Sequence, residues 1–239
     1  RVCYATGMAV VFAARDIRDQ LRQRAATQWG VSVDEVGWKD GCAVPLTRTE
    51  ELKPLSVADL AAGASKTGGP IIGRGATHAP TARPSFGAHI CDIDVDAETG
   101  CSKVVRYTVV QDVGKAVHPS FVEGQLQGGA SQGIGWALNE EYIFDKNGVL
   151  QNAGFLDYRM PVASDLPMID TVLVEVPNPQ HPYGVRGVGE VPIVPPLAAV
   201  ANAMRAATGV RFTELPLSPP RVLADRKSTR LNSSHITIS

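Results

Sequence analysis

The sequence lacks a charge imbalance, a long apolar run and any paired cysteines, and each absence removes a class of function. Its 23 Lys and Arg nearly balance 24 Asp and Glu, for a formal net charge of −1. That balance leaves no basic footprint for nucleic acid or an anionic membrane surface. No apolar stretch reaches the ~20 residues that a bilayer-spanning helix needs. The four cysteines, Cys3, Cys42, Cys91 and Cys101, are scattered without a CxxC pair. This argues against a zinc or iron–sulfur site in the chain and makes a reducing, cytoplasmic setting the expectation. The five histidines show no HxxxH spacing, so a zinc held by protein ligands is not expected. A P-loop fails for want of GK[ST], and a nucleophile elbow for want of GxSxG.

The 239 residues suit one large domain or two small ones, with 44% hydrophobic and 20% charged residues, ordinary for a packed globular protein. The opening "RVCYATGMAV" has neither initiator Met nor signal peptide and is read as a truncated start, so a periplasmic location stays open. Residues 225–239, "DRKSTRLNSSHITIS", lose hydrophobic periodicity and correspond, codon by codon, to a translated sequencing adapter. The expected fold is therefore residues 1–224, truncated.

Helical spacing predicts a helix over 8–29, with Val10, Ala14, Ile17, Leu21 and Ala25 on its buried face and Gly30 as its stop. A strand pair is expected to turn at Lys39-Asp40-Gly41, and a short helix over 56–63 to be capped by Ser56. Residues 64–86 read as a long loop, of the kind that is functional or mobile. Over 88–112, Cys91, Ile93 and Val95 alternate with Asp92, Asp94 and Asp96, which predicts a half-buried hairpin. A calcium loop is excluded there, because Ala97 stands at the sixth position and Lys103 at the twelfth.

The stretch 118–138 reads as a helix started by Pro119 and buried on most sides. Its five glycines each cost about 1 kcal/mol relative to alanine, so close packing or a ligand on bare backbone must offset them. Gln125, Gly129 and Gln132 share one stripe, and spacing leaves packing and ligand contact equally open. His118 is read as a hydrogen-bonded turn residue. Another hairpin is expected over 140–160, a strand over 169–176, and a helix from about 195 to 208 that buries Leu197, Val200, Ala201 and Met204 and stops at Gly209. Strands and helices interleave with hairpins, which predicts an α+β fold: two layers, helices packed on mixed or antiparallel sheets.

One carboxylate stands out. Glu190 ends the glycine-rich run "YGVRGVGE" and precedes prolines. It is either a helix-start charge or a chemical acid or base. The run lacks the glycine spacing of a dinucleotide fingerprint.

Four stretches in this order resemble the molybdenum-binding subunit of the xanthine dehydrogenase/aldehyde oxidase family: "DVGKAVHP" (112–119), "EGQLQGGASQGIGWALNEEY" (123–142), "PYGVRGVGEVPIVPPLAAVANAMRAATG" (182–209) and "TELPLSPPRVL" (213–223). The resemblance covers nearly all of 1–224, as the C-terminal part of a longer subunit whose N-terminal half is missing. It implies a molybdenum ion held by the dithiolene of a pyranopterin (molybdopterin or its cytosine dinucleotide), with no side chain as permanent ligand. It implies that Glu190 is the base that deprotonates the metal-bound hydroxyl. Oxygen from water then adds to an aldehyde or an electron-poor heteroaromatic carbon. Gln125 matches the glutamine that bonds the cofactor, Gly189 lets the backbone approach it, and Arg1, Val2 and Cys3 fall at the edge of the pterin-binding loop. Electrons are implied to leave through Fe-S and FAD partner domains or subunits. The alternatives are a carbon monoxide dehydrogenase-type relative with a copper site, and a non-catalytic cofactor-binding or assembly homologue.

Overall fold

A computed structural model describes residues 2–77 and 84–225. The adapter-like segment lies outside them except for Asp225. Two compact units emerge, Arg1–Thr81 and Ala82–Ser239, each with its own core.

In the first unit a wide turn over Val2–Thr6 leads into helix α1 (Gly7–Trp29). Gly30 ends it in the left-handed region (φ 67°), its N–H bonding Ala26 O. Strands β1 (Val36–Lys39) and β2 (Cys42–Pro45) form the expected antiparallel pair. They turn at Asp40 (φ 49°) and Gly41 (φ 75°), the positive-φ pair that a two-residue hairpin demands. Strand β3 (Leu55–Ser56) adds to β2, and Ser56 caps α2 (Val57–Ala62) through a reciprocal bond with Asp59. Leu21, Ala25 and Ala26 of α1 bury against Val36, Ala43 and Leu60.

The expected buried face of α1 is therefore right only in its C-terminal half. Val10, Ala14 and Ile17 are exposed, because the small sheet and α2 do not extend along the first turns. An extended strap lies there instead. Asp16 Oδ2 accepts the Arg74 N–H (2.8 Å), and Gln20 donates to Ile72 O (2.9 Å). A Cβ at Gly73 would collide with Ala13 O and one at Gly75 with Ala9 O, so these two glycines set the strap on the helix backbone. The region read as a loop over 64–86 thus holds α3 (Ala64–Thr67) and this strap.

The second unit is a sheet under two helices. Strands β4 (Gly87–Val95) and β5 (Ser102–Asp112) make the expected hairpin, with Cys91, Ile93 and Val95 packed on the core and Asp92 and Asp94 in solvent. Strand β6 (Ile169–Val174) joins β5 in parallel, Tyr107 facing Ile169 and Asp112 facing Val174. Helices α4 (Pro119–Leu138) and α5 (Val194–Thr208) cover one face. Val104, Tyr107 and Val109 from the sheet meet Leu126, Ala130 and Ile134 from α4 and Val200 and Met204 from α5. Gly209, at φ 75°, ends α5.

Two expectations fail here. The hairpin over 140–160 reduces to a single bridge, Phe144 with Leu150. Asp145 Oδ1 accepts from the N–H of both Asn147 and Val149, which closes a local turn without extending a ladder. Helix α4 is not buried on most sides: Phe121, Gln125, Gly128, Gln132 and Trp136 form an exposed, uncharged stripe. Only the opposite face has sheet and α5 to pack against. Among the described residues no helix is long and apolar enough to cross a membrane.

Candidate active site

The site is set by what holds the segment before Glu190. At the end of β5, Asp112 is buried, and its Oδ1 accepts the Gly114 N–H at 3.0 Å. Gly114 sits at φ 63°, and a Cβ there would lie 2.5 Å from Gly184 O and 2.8 Å from Arg186 Cγ. Only glycine fits both the conformation and the space. Across that gap Lys115 N–H donates to Gly184 O (2.8 Å), and Gly114 bridges Val185. The proline-rich loop before it is tied internally. Asn178 N–H donates to Gly184 O (2.9 Å), Gly184 N–H to His181 O (2.8 Å), and Tyr183 N–H to His181 Nδ1 (3.2 Å).

Arg186 then reaches back into the unit. Its Nε lies 3.1 Å from Asp112 Oδ2, with both side chains about 10% exposed. The same guanidinium donates to Val176 O (3.3 Å) and Pro84 O (2.9 Å). Nothing in the glycine-run pattern marked Arg186; the available signal was an arginine inside a glycine run with an aspartate at the end of a strand to receive it.

Beyond Arg186, Val188 packs on the core and Pro192 is buried. A Cβ at Gly129 of α4 would lie 2.5 Å from Pro192 Cγ, and one at Gly133 would lie 2.7 Å from Pro196 Cβ. The glycines of α4 that face inward are packing positions, which resolves Gly129 of the stripe. Gln125 and Gln132 stay exposed on either side of it.

Glu190 stands between these two grips, at the entry to a tight turn over Val191–Ile193 that runs into α5. It is exposed, and its carboxylate does not cap the turn; only its backbone oxygen does, accepting from Ile193 N–H at 3.3 Å. Among the described residues the carboxylate has no ion pair or side-chain hydrogen bond. Gln125 lies beside the preceding residue: an ideal Cβ at Gly189 would be 3.5 Å from Gln125 Oε1. The structure thus brings together Glu190, Gly189 and Gln125. Val2 and Cys3 are exposed in the opening turn of the first unit, and Arg1 lies outside the described residues. His118 Nδ1 lies 3.1 Å from Ser120 Oγ at the start of α4, the turn role expected of it.

These groups fit a molybdenum–pyranopterin. A free carboxylate accepts a proton, an amide beside the adjacent glycine both donates and accepts, and that glycine leaves the backbone approachable. Gln125 and Glu190 are the residues that would face the group.

Comparison with known proteins agrees. A family model described as the molybdopterin cofactor-binding domain matches residues 1–167. The chain belongs to that family. It is 37% identical over 227 residues to the putative xanthine dehydrogenase molybdenum-binding subunit of Escherichia coli (strain K12), covering 93% of this chain and 30% of that one. It is 32% identical over 235 residues to the carbon monoxide dehydrogenase large chain of Hydrogenophaga pseudoflava, covering 94% and 29%. Among solved structures, the Cu,Mo-CO dehydrogenase in its carbon monoxide reduced state matches with a TM-score of 0.72 at 27% identity, covering 97% and 30%. The aldehyde oxidoreductase from Desulfovibrio gigas matches with a TM-score of 0.60 at 31% identity, covering 72% and 20%. The chain spans about 30% of the first of these relatives. All four are oxidoreductases, and the fold is the α+β arrangement expected.

Proposed function

We propose that residues 1–224 act as the C-terminal part of a molybdenum hydroxylase catalytic subunit. The reaction is hydroxylation of an aldehyde or an electron-poor heteroaromatic carbon with water as oxygen source, electrons passing to Fe-S and FAD partners. The observation that carries this reading is Glu190: a carboxylate without a partner among the described residues, on a loop gripped from both sides, with the Gln125 amide beside the adjacent Gly189. When bound, the molybdenum–pyranopterin supplies the two-electron acceptor and the oxygen-transferring centre. Glu190 receives the proton on its carboxylate as general base, and Gln125 orients the group through its amide. Gly189 keeps side-chain bulk out of the approach. Arg1, Val2 and Cys3 are proposed to lie at the edge of the pterin-binding loop.

Glu190→Gln in the molybdenum-loaded holoenzyme tests this. It keeps shape and hydrogen bonding but cannot take the proton, so turnover should fall about 10²–10⁴-fold. Molybdenum content should hold, since the glutamate is not a ligand. Near-normal substrate reduction rates with full cofactor would make Glu190 a helix-start charge only. The match to a Cu,Mo-CO dehydrogenase supports a second reading, oxidation of carbon monoxide; stoichiometric copper in the holoenzyme and turnover of carbon monoxide would select it.

A further inference from the structure

The Asp112–Arg186 pair invites a question about cost. Placing two ions where each side chain is about 10% exposed carries a desolvation penalty that hydrophobic replacements avoid. The pair is placed where it fixes geometry. Arg186 lies four residues before Glu190, and its guanidinium joins three segments: the end of β5 through Asp112, the exit of β6 through Val176 O, and the entry to β4 through Pro84 O. Asp112 in turn holds Gly114, which abuts Gly184 and Arg186. Between this junction and buried Pro192, Val188 packs on the core, while Gly187 and Gly189 on either side of it offer no side chains to hold the loop. A Cβ at Gly187 would meet nothing within 4 Å. The position of Glu190 is thus inherited from the ion pair and Val188 on one side and Pro192 on the other.

We infer that Arg186, held by Asp112, is a positioning residue for the Glu190 carboxylate. The inference rests on the reading of Glu190 as base. Planarity matters to it. Lysine can keep the charge opposite Asp112, but it cannot present a fork to Asp112, Val176 O and Pro84 O together.

Two measurements test it. In this chain, hydrogen exchange at the Gly114, Lys115 and Gly184 amides should quicken at least tenfold in Arg186→Gln, while Tyr107 and Val109 in the middle of β5 keep their protection. Unchanged exchange at those three amides, or equal quickening along β5, would overturn the inference. In the holoenzyme, kcat per bound molybdenum should fall about 10²-fold in Arg186→Gln with KM unchanged, the scale of a misplacement near 1 Å. Arg186→Lys should recover part of that loss, and it keeps the test open if the glutamine variant fails to fold. The double variant Arg186→Gln/Glu190→Gln should be no slower than Glu190→Gln, because Arg186 acts only through that carboxylate. Normal kcat per molybdenum in both Arg186 variants, alongside a dead Glu190→Gln, would sink the inference alone. A normal Glu190→Gln would sink the reading beneath it.

Discussion

Four glycines of α4 make a sharp energetic test, because they divide by what a methyl group would meet. At Gly133 a Cβ would lie 2.7 and 2.8 Å from two atoms of the Pro196 ring and 2.9 Å from Ile193 O. At Gly129 it would lie 2.5 and 3.0 Å from the Pro192 ring. At Gly124 and Gly128 it would meet nothing within 4 Å. Alanine is favoured over glycine by about 1 kcal/mol within a helix, and that gain should appear in full at 124 and 128. Overpacking costs about 1–3 kcal/mol. Proline rings and a backbone oxygen yield little, so the upper part of that range applies at 129 and 133. The expected net change there is a loss of about 1–2 kcal/mol after the helix gain is set against it. Urea unfolding reads the result. Trp136 is the only tryptophan of the second unit, so its fluorescence in a Trp29→Phe/Trp38→Phe background follows that unit alone. With a slope of about 1–3 kcal/mol per molar urea, the two outer variants should move the midpoint up and the two inner ones down. Shifts of one sign at all four positions would refute the packing argument.

Two further tests are smaller. His89 bonds the Tyr107 hydroxyl through Nδ1 (2.9 Å), and burial pushes its imidazole down to about 4. The unfolded chain takes up this proton near pH 6.5. The stability tied to His89 is therefore complete above that pH and is lost as pH falls toward 4. His89→Asn should flatten that slope, and urea midpoints measured over this window that run parallel to wild type would reject the assignment. For the amides on α4, Gln125→Ala in the holoenzyme should lower molybdenum occupancy, an unpaired polar partner costing roughly 1–3 kcal/mol. Gln132→Ala should leave metal content unchanged; equal occupancy in both variants would leave Gln125 without a contact to the cofactor.

Local patterns were legible where local chemistry decides. Helix α5 shows its period, its opening prolines and its closing Gly209; the β4–β5 hairpin shows its alternation; the β1–β2 turn shows Asp40-Gly41. Long-range geometry was not. The parallel docking of β6 on β5 joins segments with α4 and a long irregular stretch between them, and no residue spacing encodes that choice. The open N-terminal half of α1 carries an apolar pattern indistinguishable from a covered one, because periodicity reports a face and not what meets it. At the site, Glu190 stood out as an acid following glycines, and Gln125 came from family resemblance. The sequence left Gly129 undecided, because closeness to Pro192 is a property of two elements meeting. Arg186 escaped notice for the same reason, its partners lying on three other segments.

The two grips on the Glu190 loop belong to different layers, and this sets how the carboxylate is located. Arg186 is referred to the sheet through Asp112, and Pro192 to helix α4 through Gly129. The carboxylate is therefore fixed as a surveyor fixes a point, from two stations whose separation must itself be known. That baseline is the spacing between sheet and helix, kept by Tyr107, Leu126 and Ile134 beneath. Five residues link Arg186 to Pro192, in six steps that each span at most about 3.3–3.6 Å, so the loop follows any change in the baseline. A change of volume in that core displaces Glu190 without touching it, which makes the packed interior a working dimension of the site.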